Sequence, residues 1–416
     1  MKYELGYGAK TQTLKIDDEQ PLCVLEAQAC EFERTGQEAV LHALKNPIAS
    51  PPLTDLLQAG DSVAIITSDI TRPMPSAQVM PLLLDELRLC GVADKDITLV
   101  FALGSHRKHT EQEKRHLAGE RAWRDISCID GDPCRVVHLG TTSRGTPIDI
   151  AQEVVEADKR ICLGNIEYHY FAGYSGGAKA VMPGVSTPDA IQHNHRMMAD
   201  ERACTGNLEN NPIREDIEEA AAVVGVDFIL NIVLDENKNI VHAVAGDVIE
   251  AHRAGCALLD QMYRCHFASK ADIVIASQGG APKDINLYQT QKALDNAARA
   301  VTDGGIVILV GACEEGFGNE RFKSWLFEAG SPGDILDRIS QHFELGGHKA
   351  AAMARVMQKA SIFLVSELPP DEVTNAFMVP FTSVQAAYDE AIRQQGAQAS
   401  VMLIPHAGSV LPEQEA

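Results

Sequence analysis

Basic residues are scarce in this chain: 36 Lys and Arg stand against 58 Asp and Glu over 416 residues, a formal charge of −22. Such a surface repels phosphate backbones and anionic lipid, which argues against nucleic acid and membrane as partners. Also missing is any apolar run approaching the roughly 18 residues that a spanning helix needs. Residues 1–8 hold no apolar leader core, and the cytoplasm is the expected compartment. The ten cysteines form no Cys-x-x-Cys, and a chain of this length needs no disulfide staples, so reduced and mostly buried thiols are expected. No Gly-x-Gly-x-x-Gly and no Gly-Lys-Ser/Thr phosphate loop occurs, which leaves ordinary NAD and ATP sites without support.

What is present is a series of short apolar runs, at 63–66, 97–101, 160–163, 228–234, 273–276, 306–310, 362–365 and 401–404. Each reads as a strand buried on both faces. Segments with helical spacing lie between them, at 77–90, 211–224, 249–263, 288–300, 350–360 and 384–394. This alternation predicts an α/β fold of two domains with mostly parallel sheets. The length suits two domains of roughly 100 to 250 residues each, and a polar segment near 263–270 places the boundary, giving 1–267 and 268–416. Residues 1–16 alternate polar and apolar around Gly6 and Gly8, which predicts an antiparallel hairpin capping the first sheet.

In open α/β sheets ligands sit beyond the carboxyl ends of the strands. Polar clusters at 67–73, 104–109, 164–179 and 277–286 follow four such runs, which predicts a cleft between the two domains. The densest is 164–186, where Gly173, Gly176 and Gly177 permit close backbone approach to a ligand. There His169 brings a group titrating near neutrality and Lys179 a possible nucleophile. Asp69, Thr71 and Arg72 set a carboxylate, a hydroxyl and a guanidinium at one strand end; they suit a carboxylate or phosphate ligand, or else pair and cap the next helix. His106 would sit at the mouth of a strand, whereas His109 and His116 fall in the charged stretch 107–115 and read as a solvated helix face. His193 and His195 have a spacing that can offer one or both rings to a metal, with no cysteine or carboxylate pattern nearby to complete a zinc site. Gln289 and Lys292 lie three apart near the amino end of a predicted helix, a place suited to an anion.

Taken together, Asp69-Ile-Thr-Arg-Pro, the His106 strand end, Glu167 through Gly184 with His169 and Lys179, then His195 and Pro282 through Lys292 resemble the nickel-dependent lactate racemase family, whose members racemise or epimerise 2-hydroxy acids. The order and spacing of these motifs span nearly the whole chain. The resemblance implies two α/β domains with the active site between them. It also implies a nickel-pincer nucleotide cofactor, Ni(II)-pyridinium-3,5-bisthiocarboxylate mononucleotide, attached covalently to Lys179, with His195 as the metal ligand. Asp69, Ile70, Thr71 and Arg72 would contact that cofactor, and Arg72, Tyr288, Gln289 and Lys292 the small-molecule substrate. His106 and His169 would be the catalytic acid/base pair, serving opposite faces of a planar 2-keto acid while hydride passes between C2 and the cofactor. Cofactor biosynthesis enzymes become partners for loading.

One departure concerns the tryptophan that lactate racemase proper holds near the substrate. Here the only tryptophans are Trp123 and Trp325, and the counterpart region 345–350 has none. The substrate is therefore expected to be longer or more polar than lactate: malate, 2-hydroxyglutarate, an aromatic hydroxy acid or a sugar acid. In that region His348 either faces the substrate or is a structural histidine at a helix end. Two other readings stay open: a divalent-metal-dependent hydrolase or lyase using His193 and His195, and a non-catalytic carboxylate-binding protein.

Overall fold

The computed structural model describes residues 1–342, 344 and 346–415. The chain divides into two compact units, Cys30–Gln261 and a second made of Met1–Ala29 with Met262–Ala416. Every apolar run read from the sequence lies in a strand, and every helical segment coincides with a helix to within one to three residues at its ends. Among the described residues no helix is long and apolar enough to cross a membrane.

In the unit Cys30–Gln261 a six-stranded sheet runs in the order Ile240–Gly246, Phe228–Leu234, Lys159–Ile166, Val63–Ser68, Ile97–Ala102, Ser127–Asp130. All neighbours are parallel except the first pair, which is antiparallel. Continuous burial of Phe228–Leu234 is what a strand covered on both faces requires. Ile65, Leu99, Ile161 and Leu230 meet Val79, Leu83 and Leu87 of the helix Ser76–Leu89 and Leu117 of Glu111–Asp125 in one core. The helix Glu111–Asp125 starts where it does because Thr110 and Glu113 form a reciprocal capping box. Pro212–Val224 begins with Pro after Asn211, whose side chain accepts from the amides of Ile213 and Arg214. From Val63–Ser68 the chain builds outward on one side, then returns through Lys159–Ile166 on the other. The strand order therefore reverses between these two strands, which is where α/β sheets open a crevice.

The second unit has a six-stranded, wholly parallel sheet in the order Val379–Phe381, Ser361–Val365, Val301–Val310, Ala271–Ser277, Val401–Ile404, Leu22–Val24. Here the structure corrects the sequence reading. The hairpin Lys2–Tyr7 with Lys10–Lys15 is antiparallel as expected, but it covers this sheet and not the one in Cys30–Gln261. Leu5, Tyr7, Leu14 and Ile16 join Ile273, Ile275 and Ile308 in a common core. Leu22–Val24 supplies the edge strand beside Val401–Ile404, and Arg264–Phe267 pairs with Leu411–Gln414. These pairings draw residues 1–29 and 262–267 into this unit, whereas the sequence reading grouped them with 30–261. Gly6 is needed at the contact, because a Cβ there would stand 2.5 Å from the carbonyl carbon of Gly279.

Candidate active site

At the crevice of Cys30–Gln261, an open cavity of about 840 Å³ including its mouth is lined by residues from three strand ends. Asp69, Arg72, His106, His169, Lys179 and His195 all face it. Sequence reasoning had gathered these six from motifs up to 126 residues apart, and the fold brings them to one place.

The turn after Val63–Ser68 is closed by the Arg72 amide on the Asp69 carbonyl, 3.1 Å. Asp69 is buried and accepts from Thr71 Oγ1 at 2.9 Å and from His106 Nδ1 at 2.7 Å. Burial alone would raise the Asp69 carboxyl, but the hydrogen bonds from His106 and Thr71 and the nearby Arg72 outweigh it and hold the carboxyl below its ordinary value. With its Nδ1 proton on a carboxylate, neutral His106 presents a lone pair on Nε2. Ile70 instead packs against the core and Thr71, which is exposed, reaches Asp69; neither lines the cavity.

The loop that follows Lys159–Ile166 forms a two-residue hairpin, Tyr168–His169 with Gly173–Tyr174. Its carbonyls at Ala172 and Tyr174 accept from the fully buried guanidinium of Arg214, and both tyrosine hydroxyls donate to Asp260. His169 Nδ1 accepts from the Ala172 amide at 3.3 Å, so the neutral ring carries its proton on Nε2. His106 and His169 are therefore both held through Nδ1, in opposite senses: His106 donates to a carboxylate and His169 accepts from an amide. Burial pushes His169 well below its ordinary pKa, helped by the charges of Lys179 and Arg72, which keeps the ring neutral.

Lys179 sits on the short turn Gly177–Ala180. Gly177 must be glycine: its φ is +56°, and a Cβ would lie 2.9 Å from the buried ring of His252. Its amide donates to Asn231 Oδ1 at 2.7 Å. Burial first, then the charges of Arg72 and Arg214, drive the Lys179 amine well below its usual pKa, favouring the uncharged, nucleophilic form. Phe171 stands between His169 and His195, with ring centroids 4.5 and 4.7 Å away, and fixes both imidazoles edge-on.

His193 and His195 share the helix Pro188–Arg196 but not a face. His195 lines the cavity, whereas His193 Nδ1 donates to the Asp189 carbonyl at the surface. Among the described residues no group of three or more His, Cys, Asp or Glu could hold a metal ion. A simple-ion hydrolase site on His193 and His195 thus lacks a ligand set, and a metal here would need donors from a cofactor. The residues present fit such a group: the cavity offers Lys179, His195, Arg72 and the buried Asn165 Nδ2, which has no hydrogen-bond partner among the described residues.

Tyr288, Gln289 and Lys292 lie in the other unit, on the first turns of Leu287–Ala297, capped by Asn286 through the Gln289 amide. The Tyr288 carbonyl accepts from Lys349 Nζ at 2.6 Å, and that ammonium lies 4.3 Å from the Tyr288 ring centre. His348 is buried at the start of Gly347–Met357, its Nδ1 accepting from the Gly346 amide, and burial with Lys349 beside it pushes its pKa to about 4. The helix-end reading of His348 is the one this geometry supports. Leu345 lies outside the described residues. Trp325 is buried with Nε1 donating to Glu344, and Trp123 packs on the core of Cys30–Gln261.

Sequence reasoning missed several supports. His109 was read as solvated, yet it is buried against Asp130. Arg214, Asn231, His252 and Asp260 gave no signal, since their partners are backbone groups or residues far along the chain.

Comparisons with known proteins bear on the family and the fold. A family model for the lactate racemase N-terminal domain matches residues 7–206, and one for the lactate racemase C-terminal domain matches residues 267–411. The chain is 33% identical to a lactate racemase of Thermoanaerobacterium thermosaccharolyticum, covering 98% of each protein. It is 34% identical to a lactate racemase of Lactiplantibacillus plantarum, covering 97% of each. The solved lactate racemase apoprotein from T. thermosaccharolyticum superposes with a TM-score of 0.93 at 32% identity, over 99% of this chain and all of that one. A Thermotoga maritima protein, at 17% identity and a TM-score of 0.65 over 90% of this chain and 97% of that one, shares the fold.

Proposed function

The chain belongs to the lactate racemase family and is an isomerase, and from that premise we propose that it inverts C2 of a 2-hydroxy carboxylic acid. The observation that carries this reading is the pair of imidazoles facing one cavity, His106 held through Nδ1 by the Asp69 carboxylate and His169 held through Nδ1 by the Ala172 amide. Inversion needs a proton taken from the hydroxyl on one side of the carbinol carbon and returned to oxygen after the planar 2-keto acid has been reduced from the other. His106, held by Asp69, takes the hydroxyl proton and returns it from the imidazolium so formed; His169, neutral because it is buried, donates a hydrogen bond to the same oxygen from Nε2 and keeps its own proton. Arg72, which lines the cavity, would hold the substrate carboxylate, and the family resemblance assigns Tyr288, Gln289 and Lys292 to substrate as well.

The nickel-pincer nucleotide that this family resemblance implies supplies a reversible hydride acceptor when bound. Lys179 would tether it through its depressed amine, His195 would ligate its nickel, and Asn165 and Arg72 would donate to its polar edge. Asp69 then acts as a positioning group for His106. With both tryptophans engaged elsewhere in the fold, the substrate is proposed to be a longer or more polar acid than lactate.

The test uses protein made together with the cofactor-building enzymes. Intact mass should show a nucleotide adduct that is lost in Lys179→Ala. Incubating the loaded protein with single enantiomers of malate, 2-hydroxyglutarate, phenyllactate, gluconate and lactate should erase the optical purity of at least one. Retention of optical purity across the whole panel by adduct-bearing protein would overturn the proposal.

A further inference from the structure

Beside the Asp69–His106 pair the structure holds a second carboxylate–imidazole pair, His109 from the loop that carries His106 and Asp130 from a strand end. The His109 side chain is 1% exposed and Asp130 is 10% exposed. Asp130 closes the strand Ser127–Asp130, two positions in the sheet away from the strand that leads to Asp69. Its Oδ1 accepts from His109 Nδ1 at 2.7 Å and its Oδ2 from the His109 backbone amide at 2.9 Å. On the far side of the ring, Nε2 accepts from the Ile70 backbone amide at 3.1 Å. A carboxylate only accepts and an amide N–H only donates, so this geometry admits one state of the ring: neutral, with its proton on Nδ1. Phe101 packs edge-on against it at 5.5 Å and blocks rotation.

Resting on the function proposed above, we infer that His109 is a positioning residue for the reaction, holding the loop 69–72 at the height where Asp69 meets His106. The chain of contacts is continuous. Asp130 orients the imidazole, the imidazole holds the Ile70 amide, and the next residue back, Asp69, holds His106. A carboxylate that fixes the tautomer and direction of an imidazole is a known device; here it is used twice, once on the acid/base group and once on the backbone that carries its partner. Losing the Ile70 contact lets the turn shift, and a displacement of about 1 Å at a reacting group costs up to roughly 100-fold in rate.

Two variants separate this role from plain stability. His109→Gln places an amide oxygen near the position of Nε2 and can still accept from Ile70, but gives up most of the Asp130 contact. His109→Asn places an amide nitrogen near Nδ1 and keeps Asp130, but leaves Ile70 without its acceptor. In cofactor-loaded enzyme, kcat should fall at least roughly 10-fold in His109→Asn and stay within about 3-fold of wild type in His109→Gln, with KM little changed in either. Independently of activity, hydrogen exchange at the Ile70 amide in unloaded protein should quicken at least roughly 10-fold in His109→Asn only. Equal Ile70 protection in the two variants, or kcat losses that track their melting temperatures, would overturn the inference. If wild-type loaded enzyme turns over no 2-hydroxy acid, the proposed function fails, and the exchange measurement alone decides the positioning role.

Discussion

The two units are built alike and used differently. Each carries a six-stranded sheet whose strand order reverses beside a central strand, at Val63–Ser68 in one and Ala271–Ser277 in the other. At the first reversal the strand ends stay apart and open into the cavity of Asp69, His106, His169, Lys179 and His195. At the second the chain fills the equivalent place with itself. Ser277 Oγ donates to the Gly6 carbonyl, the Ala281 amide donates to the Gly8 carbonyl, and the Gly8 amide reaches Asp284 Oδ2 at 2.7 Å. Gly408 backs directly onto Gln278. Topology creates the opportunity for a site at a switch point, but loop composition decides whether chemistry or packing occupies it.

Lys179→Ala should break the open side most completely. The adduct disappears from the intact mass and racemisation falls to the background of unloaded protein. Next in size, His106→Ala or His169→Ala should each lower kcat by roughly 10²–10⁴-fold while leaving the adduct mass unchanged; full activity in both variants would sink the two-imidazole scheme. The filled side answers to packing instead. Gly6→Ala drives a Cβ into the Gly279 backbone and should cost about 2 kcal/mol, lowering Tm by roughly 4–8 °C for a unit of this size. The adduct on Lys179 should survive it, and a loss of loading without a drop in Tm would contradict the division of labour.

The smallest effect is in acid. His169 and His252 are held neutral by burial in Cys30–Gln261, and His348 in the other unit. Their folded pKa values lie below the roughly 6.5 of an unfolded chain. Between the two values the unfolded state binds more protons, so the stability is complete above about pH 6.5 and falls as pH drops below it. Each such histidine contributes a slope of about 1.4 kcal/mol per pH unit in that window. Urea midpoints measured from pH 7.5 to 5 should therefore fall less steeply in His169→Gln than in wild type, and an unchanged slope would show that ring to be protonated in the fold.

The sequence made the open crevice more legible than the filled one. Strands covered on both faces betray themselves as apolar runs, and a polar cluster after each run marks its carboxyl end, which is how His106, His169 and Lys179 could be picked out. What escaped was tertiary in origin. His109 sits among Arg107, Lys108 and His116 in the sequence, and only Asp130, on a strand formed 21 residues later, turns it inward. Arg214 serves the carbonyls of Ala172 and Tyr174, and carbonyls leave no trace in side-chain patterns. The hairpin of residues 2–15 was recognised by its alternation, but alternation shows that one face is buried and not which sheet buries it.

The pairing of Leu22–Val24 with Val401–Ile404 sets a timetable for the ribosome. At about 5–20 residues per second, the edge strand waits roughly 20–75 s for its partner, while everything that Cys30–Gln261 needs has already emerged. The core of Cys30–Gln261 can therefore form first, with the leading hairpin paired to itself but still without the sheet that it covers. Until that sheet is made, the face of Leu5, Tyr7, Leu14 and Ile16 has nothing to bury it.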